Sequence, residues 1–276
     1  MGRAAPPCDA MSEPGTSGFT DLCIGAAVDV EFKIAAGLLS GKSFSEEPRM
    51  KICRGLFGGR RVTILQSGMG AVGFAERLSE HLTNNRYDAL IIAGLAGGLD
   101  PRLRVGDAVL YNLCYDARAI DFPLSERPDC EEAPEEVASA AGDELLSGFL
   151  YGALTRADLS FIKAPGITVG RIVTEAKEKL ALGARYGAVA VDMETYQALS
   201  ACAQLGLPAA ALRVISDEAG RDIPDFNRVY NADGRINGRR MASVMMARPS
   251  AALRLMLTVR PALRSLRVSL QAAMGA

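Results

Sequence analysis

Short apolar runs alternate with longer segments of mixed polarity over most of the chain. Strands that are covered on both faces have this continuous apolar character, so we predict strands at 22–27, 61–66, 89–93, 108–111, 166–170, 188–191 and 209–215. The segments between them carry apolar residues at helical spacing, which predicts helices at 31–40, 70–84, 175–184, 194–205 and 236–272.

This alternation predicts an α/β fold, a single domain with a central mixed, mostly parallel sheet flanked by helices. A length of 276 residues fits one such domain. We place it at 21–233. The preceding residues, 1–20, are rich in Pro, Gly and Ser, lack the apolar stretch of a signal peptide and are predicted to be disordered. A basic helical tail is predicted at 234–276.

The tail at 234–276 holds eight arginines and no acid, although the net charge of the whole chain is −1. Pro249 and Pro261 are predicted to divide it into short helices. Three of its leucines share one helical stripe beside arginines: Leu263, Leu266 and Leu270. A basic amphipathic helix predicts peripheral contact with an anionic membrane surface, and a terminal helix packed on the domain or on a partner subunit explains the pattern equally well.

Composition argues against several classes of protein. The near-zero net charge gives no sign of a nucleic-acid partner. Six cysteines without CxxC spacing and a single histidine, His81, predict no metal centre. No GxGxxG or GxxxxGK[ST] motif occurs, so we expect no cofactor. No run reaches the roughly 18 apolar residues of a membrane span, so the expected location is cytoplasmic, with the inner face of the membrane as a peripheral site.

Glycines and polar residues cluster directly after several predicted strands, where α/β sheets bind ligands. Asp29 and Glu31 follow the first strand, and an acid at a helix start also serves as a cap. Ser67 and Gly68 follow the second strand and open a helix, whose N–H groups can hold an anion. The glycine-rich turn at 94–98 allows close approach of a ligand to the backbone.

Several of these segments, in this order, resemble the nucleoside phosphorylase and nucleosidase superfamily, which includes purine nucleoside phosphorylases and methylthioadenosine/S-adenosylhomocysteine nucleosidases. The segments are SGMGAVGFAERL, GLAGGLDPRLRVGDAVL, and AVAVDMETYQA followed by LPAAALRVISDEAG. The resemblance runs over about 22–222. Within the superfamily, GLAGGLDP, VDMET and the arginine-rich tail are most similar to the hopanoid-associated phosphorylases of bacteria, which release adenine from adenosylhopane.

The resemblance implies a role for each matching residue. Glu194 would accept hydrogen bonds from the ribose hydroxyls, and Met193 would pack on the ribose face. Asp217 would be the general acid at the purine N7, supported by Ser216. The ordinary alternatives are a core methionine for Met193 and a helix cap for Asp217. Further binding positions implied by the resemblance are Ser67, Gly68, Ala96, Gly97 and Val173, the last standing where nucleosidases often have phenylalanine.

Hydrolases of this superfamily activate water with a glutamate near the first strand. A gapless match puts Val30 at that position, and one inserted residue puts Glu31 there, with Asp29 as a third candidate. Phosphorylases instead need an anion site. For it the chain offers Ser67 and Gly68, with Gly25 and one of four arginines, Arg54, Arg60, Arg61 or Arg118. Leu95 replaces a serine that the family often uses. Arg213 is predicted to be a structural ion-pair partner.

The leading expectation is cleavage of an adenosine-type nucleoside, lipid-linked as in adenosylhopane, by an N-ribosyl phosphorylase with phosphate as co-substrate. The alternative is a hydrolytic nucleosidase of the 5′-methylthioadenosine/S-adenosylhomocysteine type. A third interpretation is a non-catalytic nucleoside-binding protein. The resemblance also implies a homo-oligomer.

Overall fold

The computed structural model of the protein describes residues 19–48, 50–66, 68, 74–119, 137–227, 229, 238–247 and 249–275. Ten strands lie in these ranges: β1 (Asp21–Ala26), β2 (Ser40–Glu47), β3 (Met50–Phe57), β4 (Arg60–Gln66), β5 (Ala89–Gly98), β6 (Ala108–Asp116), β7 (Ser139–Ala141), β8 (Phe161–Thr168), β9 (Ala190–Asp192) and β10 (Ala209–Asp217). Seven helices accompany them: α1 (Asp29–Ala36), α2 (Phe74–Asn84), α3 (Glu144–Arg156), α4 (Ala176–Tyr186), α5 (Thr195–Leu205), α6 (Gly238–Ala247) and α7 (Pro249–Gly275).

The strands form one mixed sheet in the order β10-β6-β8-β9-β5-β1-β4-β3-β2, with β7 added beside β6. Because β10 also pairs with β5, five of the strands close into a ring and the other four continue outward from β5. Strands β4, β1, β5 and β10 run parallel to one another, so their carboxyl ends meet at one edge. The predicted α/β fold is confirmed.

Helices cover both faces of the sheet, which explains the continuous apolar runs of its central strands. Successive residues of β1 alternate between two buried clusters. Leu22 and Ile24 pack in the cluster that includes α1, α3 and α7, whereas Cys23 packs in the cluster that includes α2 and α5. A third cluster joins α4 to β8 and β9.

Each predicted strand overlaps an observed one, but the hairpin of β2 and β3 and the short strand β7 were not predicted. The hairpin could not be predicted from apolar runs, because β2, with the sequence SGKSFSEE, is exposed over nearly its whole length and has no such run. The predicted division of the tail at Pro249 is confirmed, since α6 ends at Ala247 and α7 begins at Pro249. Pro261 does not divide the tail, because it lies inside α7. The predicted lead at 1–20 lies almost wholly outside the described residues.

The C-terminal half of α7 is part of the folded core. Ala262, Leu266, Leu270 and Ala273 are fully buried against α1, α3 and the sheet. The stripe that predicted a membrane-facing helix therefore packs on the domain, as in the alternative interpretation. Within the described part of the chain, no helix combines the length and the apolar character that a bilayer span requires.

Candidate active site

A cleft of about 240 Å³ opens at the carboxyl ends of β1, β5, β8, β9 and β10. This is the edge of the sheet at which α/β proteins bind ligands. Eight of the ten predicted site residues line it: Glu31, Ala96, Gly97, Val173, Met193, Glu194, Ser216 and Asp217. Segments that are distant in sequence thus converge on one site, because β1 and β10 run parallel to β5 on its two sides and β9 pairs with the end of β5 in the opposite direction.

Two predicted residues are not placed in the cleft. Gly68 has a left-handed backbone, with a φ of 84°, but it follows β4, which lies outside the ring of strands, and it does not line the cleft. Ser67 lies outside the described residues.

Glu31 is the acidic residue of α1 that enters the cleft. Its side chain is buried, and Oε2 accepts hydrogen bonds from the N–H groups of Ala27 (3.0 Å) and Val28 (3.1 Å). Oε1 accepts a third, from the N–H of Leu95 on β5 (2.7 Å). The bond from Val28 is an ordinary helix cap, whereas the bond from Leu95 ties the carboxylate to a strand 64 residues away.

Val30 and Asp29, the other two candidates for the acidic position of the cleft, face solvent. Val30 is 41% exposed, and Asp29 forms ion pairs with Lys33 (2.6 Å) and Lys51 (3.0 Å) at the surface. Because α1 begins at Asp29, its first turn carries residue 31 inward and residues 29 and 30 outward. The structure therefore assigns the acidic position of the cleft to Glu31, as the alignment with one inserted residue predicted.

Arg213 lies on β10 at the floor of the cleft, with only 1% of its surface exposed. Its Nε lies 3.3 Å from Oδ2 of Asp192, and Nη2 lies 3.7 Å from Oε2 of Glu194. Both nitrogens also donate to the hydroxyl oxygen of Thr195, at 3.0 and 2.8 Å. The predicted ion-pair role of Arg213 agrees with these contacts, and its place in the cleft had no signal in the sequence.

Asp192 organises this group from below. Its Oδ1 accepts hydrogen bonds from the N–H groups of Glu194 (3.0 Å) and Thr195 (2.9 Å) and from the hydroxyl of Thr168 (2.8 Å). These bonds cap the start of α5 and hold the backbone of Glu194 in place. Asp192 thus supports the site by holding Glu194 and Arg213 in place.

Gly94 lets Glu31 and Arg213 approach each other. A Cβ atom on this glycine would lie 2.7 Å from Nη1 of Arg213 and 2.7 Å from Oε1 of Glu31, closer than real Cβ contacts allow. A side chain at position 94 would therefore displace the carboxylate, the guanidinium or both from their places at this end of the cleft.

Burial and charge act in opposite directions on the groups at this end of the cleft. Burial raises the pKa of Glu31 above its ordinary value of 4.5, although Arg213 and the three backbone N–H groups favour the ionised form. For Arg213, burial alone would lower the pKa, but the carboxylates of Asp192, Glu194 and Glu31 raise it. Among the described residues, the guanidinium of Arg213 therefore faces three carboxylates, so these described groups together carry an excess of negative charge.

Asp217 lies at the other end of the polar lining, at the end of β10. The pairing with β5 shifts register between Ile215 and Asp217, which sets Asp217 opposite Gly97. This irregularity brings the consecutive residues Ser216 and Asp217 to the same cleft, which a regular strand would not do. Oδ2 of Asp217 lies 2.5 Å from Nζ of Lys179, and Oδ1 lies 2.9 Å from the hydroxyl oxygen of Ser216.

Apolar side chains form the walls, and several of them were not predicted. Among these, Phe226, from the loop after β10, and Val259, from α7, line the cleft together with the predicted Val173. Asn227 holds the loop that carries Val173, because it accepts from the N–H of Ile172 (2.8 Å) and donates to the carbonyl of the same residue (3.0 Å). Phe226 is thus an aromatic side chain of the cleft that the comparison of Val173 with the nucleosidase phenylalanine did not predict.

The four arginines considered for a phosphate site lie elsewhere. Among the described residues, Arg171 and Arg213 are the arginines that line the cleft. The other four make different contacts: Arg54 with Ser45, Arg60 with the carbonyl of Met274, Arg61 with Asp21 and Arg118 with Asp116. Arg171 is itself paired with the buried carboxylate of Glu178. The structure therefore does not place the expected cluster of arginines beside the cleft.

Comparisons with known proteins agree with this architecture. Residues 21–247 match the model of the phosphorylase superfamily. A 5′-methylthioadenosine/S-adenosylhomocysteine nucleosidase of Actinobacillus succinogenes is 30% identical over 210 residues, which cover 72% of this chain and 88% of that protein. The corresponding nucleosidase of Mycobacterium bovis is 28% identical over 225 residues, 73% of this chain and 88% of its own length.

Solved structures show the same fold. The nucleosidase of Neisseria meningitidis in complex with methylthio-immucillin-A has a TM-score of 0.69 at 18% identity, covering 93% of this chain and all of that one. The nucleosidase of Colwellia psychrerythraea in complex with adenine has a TM-score of 0.66 at 21% identity, covering 93% and 97%. Because the family model matches most of the chain, from residue 21 to residue 247, the chain belongs to the phosphorylase superfamily.

Proposed function

We propose that the protein hydrolyses the N-glycosidic bond of an adenosine-type nucleoside, with water as the nucleophile and adenine as the leaving group. The observation that carries the proposal is the buried carboxylate of Glu31 in the cleft, next to an arginine whose charge is already matched by carboxylates. A carboxylate in this position suits a general base that takes a proton from water.

The same arrangement is unfavourable for phosphate. A phosphate dianion needs cations and free N–H donors. Here three N–H groups at this end of the cleft already donate to Glu31, and Arg213 faces Asp192 and Glu194. An anionic co-substrate would meet the excess negative charge described above, whereas neutral water would not. The leading expectation of phosphorolysis is therefore less well supported than the hydrolytic alternative, and the named relatives, which are nucleosidases, favour the same choice.

Excess negative charge also suits the reaction itself. Breaking the bond between C1′ and the base builds positive charge on the ribose, which carboxylates stabilise. Glu194 accepts hydrogen bonds from the ribose hydroxyls, and Glu31 takes a proton from the water whose oxygen bonds to C1′. The electron pair of the broken bond leaves with the base, and Asp217 passes a proton to its N7. The apolar walls receive the purine and the 5′ substituent.

Independence from phosphate is the direct test of hydrolysis. We expect adenine release from adenosine or 5′-methylthioadenosine to proceed at the same rate with and without inorganic phosphate. Free ribose or its 5′-substituted form should be the sugar product. Absorbance of released adenine gives the rate, and ³¹P NMR detects any sugar 1-phosphate. Formation of a sugar 1-phosphate, with a rate that rises with phosphate concentration, would restore phosphorolysis.

A lipid-linked substrate, as in adenosylhopane, would require the protein to reach a membrane surface, and we propose that α6 and the first turns of α7 make that contact. Met246, Leu253 and Leu257 are 80%, 60% and 65% exposed. The segment from 234 onward carries eight arginines and no acid, which complements an anionic bilayer. Val259, two residues after Leu257 on α7, lines the cleft, so this part of α7 adjoins the proposed substrate site.

Vesicle flotation tests the membrane contact. We expect the protein to float with vesicles of phosphatidylcholine and phosphatidylglycerol, and less so at high salt, because charge attraction is screened. Leu253→Glu together with Leu257→Glu should abolish flotation, whereas Leu145→Glu, at an exposed leucine of α3, should not. Point variants are needed because truncation of the tail would remove the buried part of α7. If the wild-type protein stays at the bottom of the gradient in the presence of either neutral or anionic vesicles, the contact is refuted.

A further inference from the structure

A fully buried lysine stands directly behind Asp217. Lys179 belongs to α4 and has no exposed surface. Its Nζ lies 2.5 Å from Oδ2 of Asp217, 3.0 Å from the carbonyl oxygen of Arg221 and 3.4 Å from that of Glu218. Lys179 does not itself line the cleft, so it acts on a ligand through Asp217.

These contacts define the protonation state of the pair at rest. Three acceptors surround Nζ, which matches the three N–H bonds of an ammonium group, whereas a neutral amine has two. Oδ2 of Asp217 accepts from Lys179, and Oδ1 lies 2.9 Å from the hydroxyl oxygen of Ser216, whose one proton can go to Asp217 or to the carbonyl of Ala96 (3.1 Å). The pair has the geometry of an ion pair, in which the ammonium of Lys179 lies 2.5 Å from Oδ2 of Asp217.

We propose that Lys179 is the source of the proton that Asp217 passes to the departing base. As the bond between C1′ and the base breaks, its electron pair moves onto the purine. The ammonium of Lys179 transfers a proton to Asp217, and Asp217 transfers one to N7. The products of this step are a neutral amine, a carboxylate and a neutral purine. The attacking water loses one proton to Glu31. After the products leave, Glu31 releases this proton to solvent and the amine of Lys179 takes one up from solvent.

This inference rests on the proposed function, and it assigns to Lys179 a role in proton transfer that a purely structural ion pair would not have. A structural pair would hold the Asp217 carboxylate in place whatever group leaves C1′. A proton source matters when the leaving group must be protonated, as adenine must, and is dispensable when it leaves as a stable anion. The nature of the leaving group therefore separates the two roles.

The test compares two substrates and four proteins. The wild type, Lys179→Met, Lys179→Arg and Lys177→Met are assayed with 5′-methylthioadenosine and with p-nitrophenyl β-D-ribofuranoside, whose nitrophenolate needs no proton. Lys177 is an exposed lysine of the same helix and serves as the matched control. We expect Lys179→Met to release adenine about 100-fold more slowly, within the range of general acid catalysis, and to cleave the nitrophenyl riboside within about threefold of the wild type. Thermal melting checks that each variant is folded.

The arginine variant separates proton supply from charge. Arginine keeps a positive charge and donors beside Asp217 but does not give up a proton in proteins. We therefore expect Lys179→Arg to remain as slow as Lys179→Met on 5′-methylthioadenosine. If a folded Lys179→Arg recovers the wild-type rate, or if Lys179→Met loses both substrates equally, the role of Lys179 is to hold Asp217 and the relay is refuted.

A double-variant comparison tests whether Lys179 acts through Asp217. The combination of Lys179→Met with Asp217→Asn should release adenine no more slowly than Asp217→Asn alone, since both changes interrupt one chain of proton transfer. Losses that multiply would place Lys179 in an independent role. Adenine release by the wild type in the absence of phosphate is measured separately, so a failure of the proposed function is distinguishable from a failure of the relay.

Discussion

Glu31→Gln is expected to lower kcat for adenine release by about 1,000-fold, within the range that positioned general bases contribute. Glutamine keeps the shape of the side chain but cannot take a proton from water. Substrate binding should change little, because the ribose and the base contact other residues. Stopped or continuous assays of adenine release give kcat, and calorimetric titration with a slowly reacting nucleoside gives Kd.

Asp29→Asn is the matched control for Glu31→Gln. Asp29 lies two residues earlier in α1, and its ion pairs with Lys33 and Lys51 are at the surface, where such pairs contribute little to stability. We expect its kcat within about twofold of the wild type. Since the glutamine amide cannot accept from all three N–H groups that Glu31 serves, Glu31→Gln also requires a melting curve to verify its fold. A folded Glu31→Gln with wild-type kcat would remove Glu31 from the mechanism.

The dependence of kcat on pH should also report the ionisation of Glu31. A general base works in its ionised form, and burial raises the pKa of Glu31 above 4.5. Activity should therefore be lost as the pH falls through this raised pKa, at a higher pH than for an ordinary glutamate. The small residual activity of Glu31→Gln should lack that acidic limb.

Asp217→Asn is expected to reduce adenine release to a similar extent, by about 1,000-fold, because an amide cannot pass a proton to N7. The loss should fall on kcat, since the proton is needed in the transition state and not in the bound complex. Ser216→Ala is the graded comparison. It removes one hydrogen bond to Asp217 and should cost about tenfold, as expected for about 1.4 kcal/mol.

The nitrophenyl riboside again gives a discriminating control for Asp217→Asn. If Asp217 serves the base, the variant should retain most of its activity with a leaving group that needs no proton. An equal loss with both substrates would indicate a collapsed site. Full activity of a folded Asp217→Asn with adenosine substrates would overturn the mechanism.

The central part of the site could be predicted from sequence because its residues follow apolar strands that every such sheet buries. Glu194 and Asp217 follow or end β9 and β10, and those ends come together because both strands pair with β5 at Gly97. Glu31 was harder to assign, because a shift of one residue in the start of α1 decides which side chain turns inward. The pattern of apolar and polar residues does not show where α1 begins. The structure shows it, because Val28 is the N-cap of α1 and Glu31 is the third residue of the helix.

Other parts of the site could not be predicted because they depend on long-range packing. Phe226 follows a polar loop, and Val259 belongs to a helix that the sequence marks mainly by its arginines. Lys179 lies in the segment TEAKEKL, where a lysine is ordinarily solvated, and only the contact of α4 with the end of β10 makes it a buried group. The choice between water and phosphate likewise depended on where the arginines lie in space.

The position of α7 has a consequence for how the protein is made. The last helix fills one face of the sheet with Leu266 and Leu270 and adds Val259 to the cleft. A chain emerging from the ribosome can form its early strands, but it lacks this wall until α7 has left the exit tunnel. A chain interrupted within α7 would therefore expose the apolar face of the sheet that Leu266 and Leu270 cover.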